Sequence, residues 1–410
     1  MLSVEEAESI ILDRVNPPDP QTRIEAVDLP MAQGRVLAAP VTSDLDFPHW
    51  DNSAMDGYAV RYTDVADSSP ETPSVLEIIE EIPAGTRPKQ TVESGQAARI
   101  FTGACLPSGA DTIVIQEETQ RQANQIKVFT APEPKAFVRY QGSFYRAGET
   151  LLEPGILLGP PEIAILAAAQ CTQVPAYRRL RVAIFSTGDE LVTPEQPLAP
   201  GQLVDSNQHA LTALIQAMGM EPVPLGIVAD RPEALEEVVA KALLTADVIL
   251  STGGVSVGDY DYVESILEKL GGEIHIRSVA IKPGKPLTVA SFSNCLYFGL
   301  PGNPVSALVT CWRFVQPALR KLSGLSADAW KPKFVEARSR QDLHAGGKRE
   351  TYLWGRLEFV EGQYEFDLAS GSHNSANLIN LARTTGLAVV PINQTLIPQG
   401  EIVRVLKVDC

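Results

Sequence analysis

The strongest constraint on the fold is a pattern repeated within residues 246–307. Apolar runs at 248–250, 274–281 and 296–298 each read as a strand and each meet a loop of glycine, proline and polar residues. The loops are Ser251-Thr-Gly-Gly-Val-Ser-Val-Gly-Asp-Tyr-Asp261, Ile281-Lys-Pro-Gly-Lys-Pro286 and Gly299-Leu-Pro-Gly-Asn-Pro-Val-Ser306. The first and third lead into helical spacing: Val263, Ile266, Leu267 and Leu270 lie three and four apart, as do Val305, Leu308, Val309 and Trp312. A strand, a glycine turn and a helix in succession bring backbone N–H groups and a helix N-terminus to an anion. Asn303 stands where an N-cap belongs, and Pro304 follows at the first helical position, where a missing N–H costs nothing. Lys282 and Lys285 sit on the loop between these two, near Asp259 and Asp261. Cations beside carboxylates point to a phosphate or another oxyanion held with a divalent metal. One such loop alone could be a plain chain reversal with solvated lysines; three that converge make the ligand reading the stronger.

Upstream the same alternation extends back to Arg181. Strands are expected at 181–185, 224–228 and 247–250, with helices between them carried by Leu211, Leu214, Ile215 and Met218, and by Leu235, Val238, Val239, Ala242 and Leu243. The expectation is a mostly parallel sheet with helices on both faces and its functional loops at the strands' carboxyl ends. Glu190, Asp230, Asp259, Lys282 and the 299–303 turn share that address. Asp230 has a second reading, because Asp230-Arg-Pro-Glu233 resembles a capping box with Asp as N-cap.

The flanking sequence is different in kind. Ser3-Val-Glu-Glu6 reads as a capping box opening an amphipathic helix with Ile10 and Ile11 on its apolar face, ended by Asn16-Pro-Pro-Asp-Pro20. Residues 24–46 look strand-like, and 47–59 mix polar and aromatic residues without a period, as loops do. Runs at 75–79, 97–101, 112–116 and 125–129 predict a small antiparallel sheet or barrel, within which Thr102 reads as a turn hydroxyl or a ligand hydroxyl. A helix is expected at 163–169, after Pro160-Pro161, and residues 327–410 are again β-rich. There Gly347-Lys-Arg349 and Ser370-Gly-Ser-His-Asn-Ser375 are either solvated loops or groups that reach an anion across a cleft. The fold class is thus multidomain, α/β plus β: one mostly parallel α/β domain and smaller β-rich domains, as 410 residues exceed one core.

Charge and composition narrow the function. The net charge is −16, yet residues 327–410 hold ten basic and ten acidic residues, leaving 24 basic and 40 acidic in the rest. An acidic body argues against nucleic acid or an anionic membrane as the main partner. Five scattered cysteines without CxxC spacing suit a reducing cytoplasm. The start has no basic and apolar signal pattern, and no apolar stretch has transmembrane length. The five histidines show no metal-ligand spacing, and no GxSxG elbow or Walker loop occurs.

Taken together, Ser53-Ala-Met-Asp-Gly-Tyr-Ala59, Thr102-Gly-Ala104, Ser186-Thr-Gly-Asp-Glu190, Ser251-Thr-Gly-Gly-Val-Ser256, Lys282-Pro-Gly-Lys-Pro286 and Leu300-Pro-Gly-Asn-Pro-Val-Ser306 give the chain its family likeness. It resembles the molybdopterin molybdenumtransferases, the molybdenum insertases to which the E domain of gephyrin also belongs. The resemblance implies a Mg²⁺-dependent reaction in which adenylylated molybdopterin and molybdate give molybdenum cofactor and AMP. It implies Asp261 as the Mg²⁺ carboxylate, with Asp259 and Ser256 beside it. Lys282, Lys285, Arg349 and Ser375 would serve the molybdate side. Asp56, Thr102, Glu190 and Asp230 would frame the pterin nucleotide, and Pro301, Asn303 and Ser306 would complete the substrate-binding loop. It further implies a cytoplasmic homodimer with sites shared between chains, and transient contact with a molybdopterin adenylyltransferase and with molybdoenzymes. The four expected domains are residues 24–46 plus 139–176, 47–138, 1–23 plus 177–326, and 327–410.

One departure stands out. After Arg139 the family pattern has Gly-Glu-Asp, whereas this chain has Gly142-Ser-Phe144. The missing acid marks either a tolerated lineage variant or a paralogue of altered substrate, such as one handling tungstate. An adenylyltransferase sharing the α/β unit and a non-catalytic scaffold are the alternatives to the insertase reading; the 53–59 and 281–286 motifs favour the insertase.

Overall fold

The computed structural model describes residues 1–19, 23–254 and 262–408. The chain forms two compact units, one of Met1–Ala39, Pro154–Gly159 and Gln173–Cys410, the other of Pro40–Glu153 and Pro160–Thr172.

The first unit is built on a six-stranded sheet in the spatial order Glu221–Val228, Arg181–Thr187, Val248–Thr252, Leu296–Leu300, Pro286–Ser291, Glu273–Ser278. The first four strands run parallel; Pro286–Ser291 is added antiparallel at one edge, and Glu273–Ser278 pairs antiparallel with it, returning to the first direction. Alternate side chains leave opposite faces of each strand, so two cores form. Val182, Ile184, Val248 and Leu250 pack with the helices Val4–Arg14, Asn207–Ala217 and Pro304–Thr310 on one face. Ala183, Phe185 and Ile249 pack with Pro232–Thr245 and Tyr262–Lys269 on the other. Helices on both faces of a mostly parallel sheet are therefore observed. The N-terminal helix starts with the expected reciprocal cap: Ser3 Oγ accepts from Glu6 N, and Glu6 Oε2 accepts from Ser3 N.

The expected strand at 274–281 divides. Glu273–Ser278 stays in the sheet, whereas Ile281–Lys282 pairs in parallel with Glu350 and Thr351. Between them the backbone is taken over by Leu2, whose N–H donates to Ser278 O at 3.2 Å and whose carbonyl accepts from Ala280 N at 2.7 Å. The strand joined by Ile281–Lys282 belongs to a C-terminal barrel. Glu350–Val360, Gln363–Leu368, Phe334–Ser339, Ile402–Lys407 and Gly386–Val390 pair in that order, and the last closes on the first. Closure removes the open strand edges of a small sheet. Its interior holds Ala337, Leu353, Phe366, Ala388 and Val405, while Tyr352, Trp354 and Leu387 face the α/β core.

The second unit contains another six-stranded sheet, ordered Thr112–Ile115, Gly57–Val60, Gln96–Ile100, Ser74–Ile82, Gln125–Val128, Thr119–Gln122. Two expectations change here. Gly57–Val60 overlaps the end of the stretch read as loop, 47–59, yet it is an inner strand buried along its length. The sheet is also not wholly antiparallel, because Ser74–Ile82 and Gln96–Ile100 run parallel. The helix expected after Pro160-Pro161 spans Pro160–Ala168. Among the described residues no helix is long and apolar enough to cross a membrane.

Candidate functional site

The carboxyl ends of the parallel strands carry the polar chemistry. Ser186 and Thr252, both 1% exposed, face each other across adjacent strands with their hydroxyls 2.9 Å apart. Thr187 Oγ1 donates to Asp230 Oδ1 at 2.8 Å, and Asp230 N donates to Asp189 Oδ1 at 3.2 Å. The capping reading of Asp230 is corrected by this arrangement. The N-cap of Pro232–Thr245 is Arg231, without a side-chain cap bond, because the Asp230 carboxylate turns to the neighbouring strand end.

The glycine turn after Val248–Thr252 closes tightly on that neighbour. Gly253 has φ +85°, and a Cβ there would lie 2.2 Å from Thr187 O, so no other residue fits without movement. Gly302, from the turn after Leu296–Leu300, approaches the same place, its Cβ position 3.6 Å from Gly253 Cα. Its carbonyl accepts from Asn207 Nδ2 at 2.8 Å. These loops wall a cleft of about 560 Å³ with Glu190, Leu203, Asp205, Pro301, Asn303, Ser306 and Leu378 among its lining. Leu203 and Leu378, 60% and 43% exposed, give it apolar sides above a polar floor.

A second compartment of about 500 Å³ adjoins it, sharing Pro286, Asn303 and Ser306. Its lining brings together Lys282, Lys285, Arg349 and Ser375, with His344 and His373, and no described lining residue is an Asp or Glu. Backbone pairing explains the meeting. The ladder of Ile281–Lys282 with Glu350–Thr351 places Arg349 beside the lysine loop, and Arg349 Nη1 donates to Ile281 O at 3.1 Å. Neither lysine has an ion pair among the described residues, so both charges remain available to a ligand. The loop is seated through Gly284, φ +109°, where a Cβ would come within 2.4 Å of Thr310 Cγ2.

Asn303 occupies the N-cap position of Pro304–Thr310, with Pro304 first in the helix, but its side chain makes no cap bond. Nδ2 donates instead to Ser375 Oγ at 3.1 Å, while the Ser375 carbonyl accepts Val305 N–H at 3.1 Å. The helix start is thus capped by a backbone remote in sequence. His373 closes the far wall, its Nε2 at 2.7 Å from Ala369 O and its ring 4.4 Å from that of Trp354. His373 belongs to the 370–375 stretch that the sequence offers as reaching an anion, whereas nothing local in the sequence marks His344 and Trp354 as lining.

Asp56 and Thr102 belong to the other unit, where they form a clasp. Asp56 Oδ1 accepts both Thr102 N at 2.8 Å and Thr102 Oγ1 at 2.7 Å. The backbone N–H of Thr102, then its hydroxyl, hold the Asp56 carboxyl below its ordinary value. Ser256, Asp259 and Asp261 lie outside the described residues. Among the described residues no group of three His, Cys, Asp or Glu side chains is gathered as a metal site.

Comparisons with known proteins agree along the chain. Residues 2–169 match the family model "MoeA N-terminal region (domain I and II)", 183–321 match "Probable molybdopterin binding domain", and 336–408 match "MoeA C-terminal region (domain IV)". A molybdopterin molybdenumtransferase of Nostoc sp. is 58% identical, covering 99% of this chain and 94% of the relative. The chain belongs to the molybdopterin molybdenumtransferase family. Another molybdopterin molybdenumtransferase, of Haemophilus influenzae, is 36% identical over 89% of this chain and 86% of its own. The crystal structure of a molybdopterin biosynthesis moeA protein from Pyrococcus horikoshii superposes with a TM-score of 0.84 at 28% identity, covering all of both chains. Against the family pattern, the Gly142-Ser-Phe144 departure forms an exposed turn. Gly142 N donates to Pro48 O at 3.0 Å, Phe144 N donates to Phe47 O at 2.9 Å, and the Phe144 side chain is 73% exposed.

Proposed function

We propose that this chain is a transferase of molybdenum cofactor biosynthesis that inserts molybdenum from molybdate into adenylylated molybdopterin and releases AMP. The observation that carries this reading is the cationic compartment. Lys282, Lys285 and Arg349 converge beside a helix start and without a lining carboxylate among the described residues, as a small dianion requires. The adjoining cleft, with apolar sides at Leu203 and Leu378 and hydrogen-bonding groups at Glu190 and Asn303, suits a flat polar heterocycle. Its junction with the cationic compartment, at Pro286, Asn303 and Ser306, is where the two substrates would react.

The described carboxylates at the strand ends, Glu190 and Asp230, offer hard oxygen donors of the kind Mg²⁺ prefers. Mg²⁺ characteristically takes one or two protein carboxylates and completes its shell with phosphate oxygens and water, so this donor chemistry fits. Asp261, with Asp259 beside it, is the proposed protein ligand. The ion would supply charge neutralisation at the pyrophosphate being cleaved. The chain's own part is to hold the anion on Lys282, Lys285 and Arg349, to orient the heterocycle, and to fix the two at one junction. The reading includes a cytoplasmic homodimer acting on small molecules, in transient contact with an adenylyltransferase and with molybdoenzymes.

The test is AMP release from adenylylated molybdopterin by the purified chain. Release that rises with molybdate is the expected result. AMP formation indifferent to molybdate, or consumption of ATP with molybdopterin instead, would reject insertion.

A further inference from the structure

Between the helices Pro304–Thr310 and Gln316–Leu322 the chain takes a π-helical turn, Cys311–Val315. All five of its residues are buried, and among them Arg313 is the one charged side chain, 3% exposed. The guanidinium reaches in two directions. Nη2 donates to Glu8 Oε2 at 2.8 Å and Nη1 lies 2.8 Å from Glu8 Oε1, a fork on the N-terminal helix. Nε donates to Tyr352 Oη at 2.9 Å, on the barrel strand. The Tyr352 hydroxyl donates onward to Glu350 Oε1 at 2.6 Å.

Glu350 is the residue after Arg349 and the one that pairs with Ile281; its N–H donates to Ala280 O at 3.0 Å. The chain Glu8–Arg313–Tyr352–Glu350 therefore ends on the two-residue ladder that sets Arg349 against Lys282. The N-terminal segment grips that ladder a second time, through the Leu2 hydrogen bonds to Ser278 and Ala280. A buried arginine is a costly way to fill a core unless it is paired; here Nη2 and Nε are hydrogen-bonded, while Nη1 lies in the ion pair with Glu8 without a hydrogen bond of its own. Glu8, Arg313 and Glu350 do not line the cationic compartment, whereas Tyr352 does, so they act on it through the Tyr352 side chain and the backbone they hold.

We propose that Arg313 is a positioning residue for the oxyanion. Held by Glu8, and acting through Tyr352 and Glu350, it fixes the distance between the Arg349 and Lys282 charges. The identity of the oxyanion rests on the proposed function; the positioning does not.

Glu8 is the place to test this, since it is partly exposed and remote from the compartment. In the full-length chain, Glu8→Ala raises the KM for molybdate about tenfold and leaves kcat and the KM for adenylylated molybdopterin within about twofold, as expected when a remote contact sets geometry. Glu8→Gln, which keeps an oxygen facing Arg313, recovers most of the loss. An unchanged molybdate KM in folded Glu8→Ala, or equal rises in both KM values that track a fall in Tm, overturns the proposal. If Glu8→Ala does not fold, Arg313→Lys keeps the charge without the fork. The same selective rise in it supports the proposal, and a wild-type molybdate KM overturns it. Calorimetric titration with molybdate separates this idea from the enzymatic assignment. Weaker binding by Glu8→Ala than by wild type supports positioning even where no AMP is released. Equal titrations of the two, whether strong or absent, overturn it.

Discussion

At the scale of single residues, charge decides which side chains matter. Lys282 and Lys285 are exposed and stand in a compartment without a described acidic lining residue, so on the proposed reading each is available to the oxyanion without prior commitment to a partner. Lys282→Ala and Lys285→Ala are each expected to raise the KM for molybdate by about tenfold to a hundredfold, the size of a lost charge-assisted hydrogen bond. The KM for adenylylated molybdopterin should change less, and added salt should narrow the difference from wild type. Steady-state kinetics with each substrate varied in turn checks this; equal losses for both substrates would indicate a general field instead. Asp56 yields a pH effect of definite sign. Its folded value lies below the ordinary 3.8, through the Thr102 backbone N–H first and the Thr102 hydroxyl second. A depressed carboxylate stabilises the fold fully above its unfolded value and loses that contribution as pH falls through the folded one. The stability difference between wild type and Asp56→Asn, read from denaturant melts, should therefore be constant near neutrality and shrink below about pH 4.

At the scale of elements, the strand-end turns work because adjacent strands leave no space between them. Gly253 combines a left-handed φ with a Cβ position 2.2 Å from Thr187 O, whereas Gly271, φ +87°, looks onto open space. Gly253→Ala should destabilise the α/β unit by about 2–4 kcal/mol, since strain and collision add, and Gly271→Ala by only about 1 kcal/mol from strain. Thermal melts of the two variants make the comparison. A similar fall in both would mean that the Thr187 contact relaxes easily. The helix Pro304–Thr310 teaches a related point. Its N-cap residue was legible from Asn303-Pro304, but the acceptor that caps it is the Ser375 carbonyl rather than the Asn303 side-chain oxygen, and Asn303 Nδ2 donates to the Ser375 hydroxyl.

At the scale of the whole molecule, the family resemblance implies a two-fold dimer whose sites draw Asp56 and Asp261 from different chains. A mixed dimer of an Asp56→Ala chain and an Asp261→Ala chain would then have one site with both lesions and one with neither. About half of wild-type AMP release is expected from the doubly tagged heterodimer, although each parent alone is inactive. An inactive heterodimer of correct size would sink the shared-site proposal.

The sequence by itself determined the parts of this protein that local periodicity can express. Alternation of Val182, Ile184 and Val248 with Ala183, Phe185 and Ile249 specifies two buried faces, and hence helices on both sides of a sheet. Glycine and proline marked the strand-end turns, because left-handed or helix-initiating backbone admits few other residues. Periodicity could not show that Gly57–Val60 is an inner strand, since a four-residue run between turns has too few repeats to display one. Nor could it show that Ser74–Ile82 and Gln96–Ile100 run parallel, or that the 274–281 run breaks so that Ile281–Lys282 can join the barrel. The same holds for the meeting of Arg349 and Ser375 with the lysine loop. Those outcomes depend on which backbone N–H and C=O groups find partners far along the chain. That choice is made by packing in space, where residues distant in sequence compete for the same hydrogen bonds.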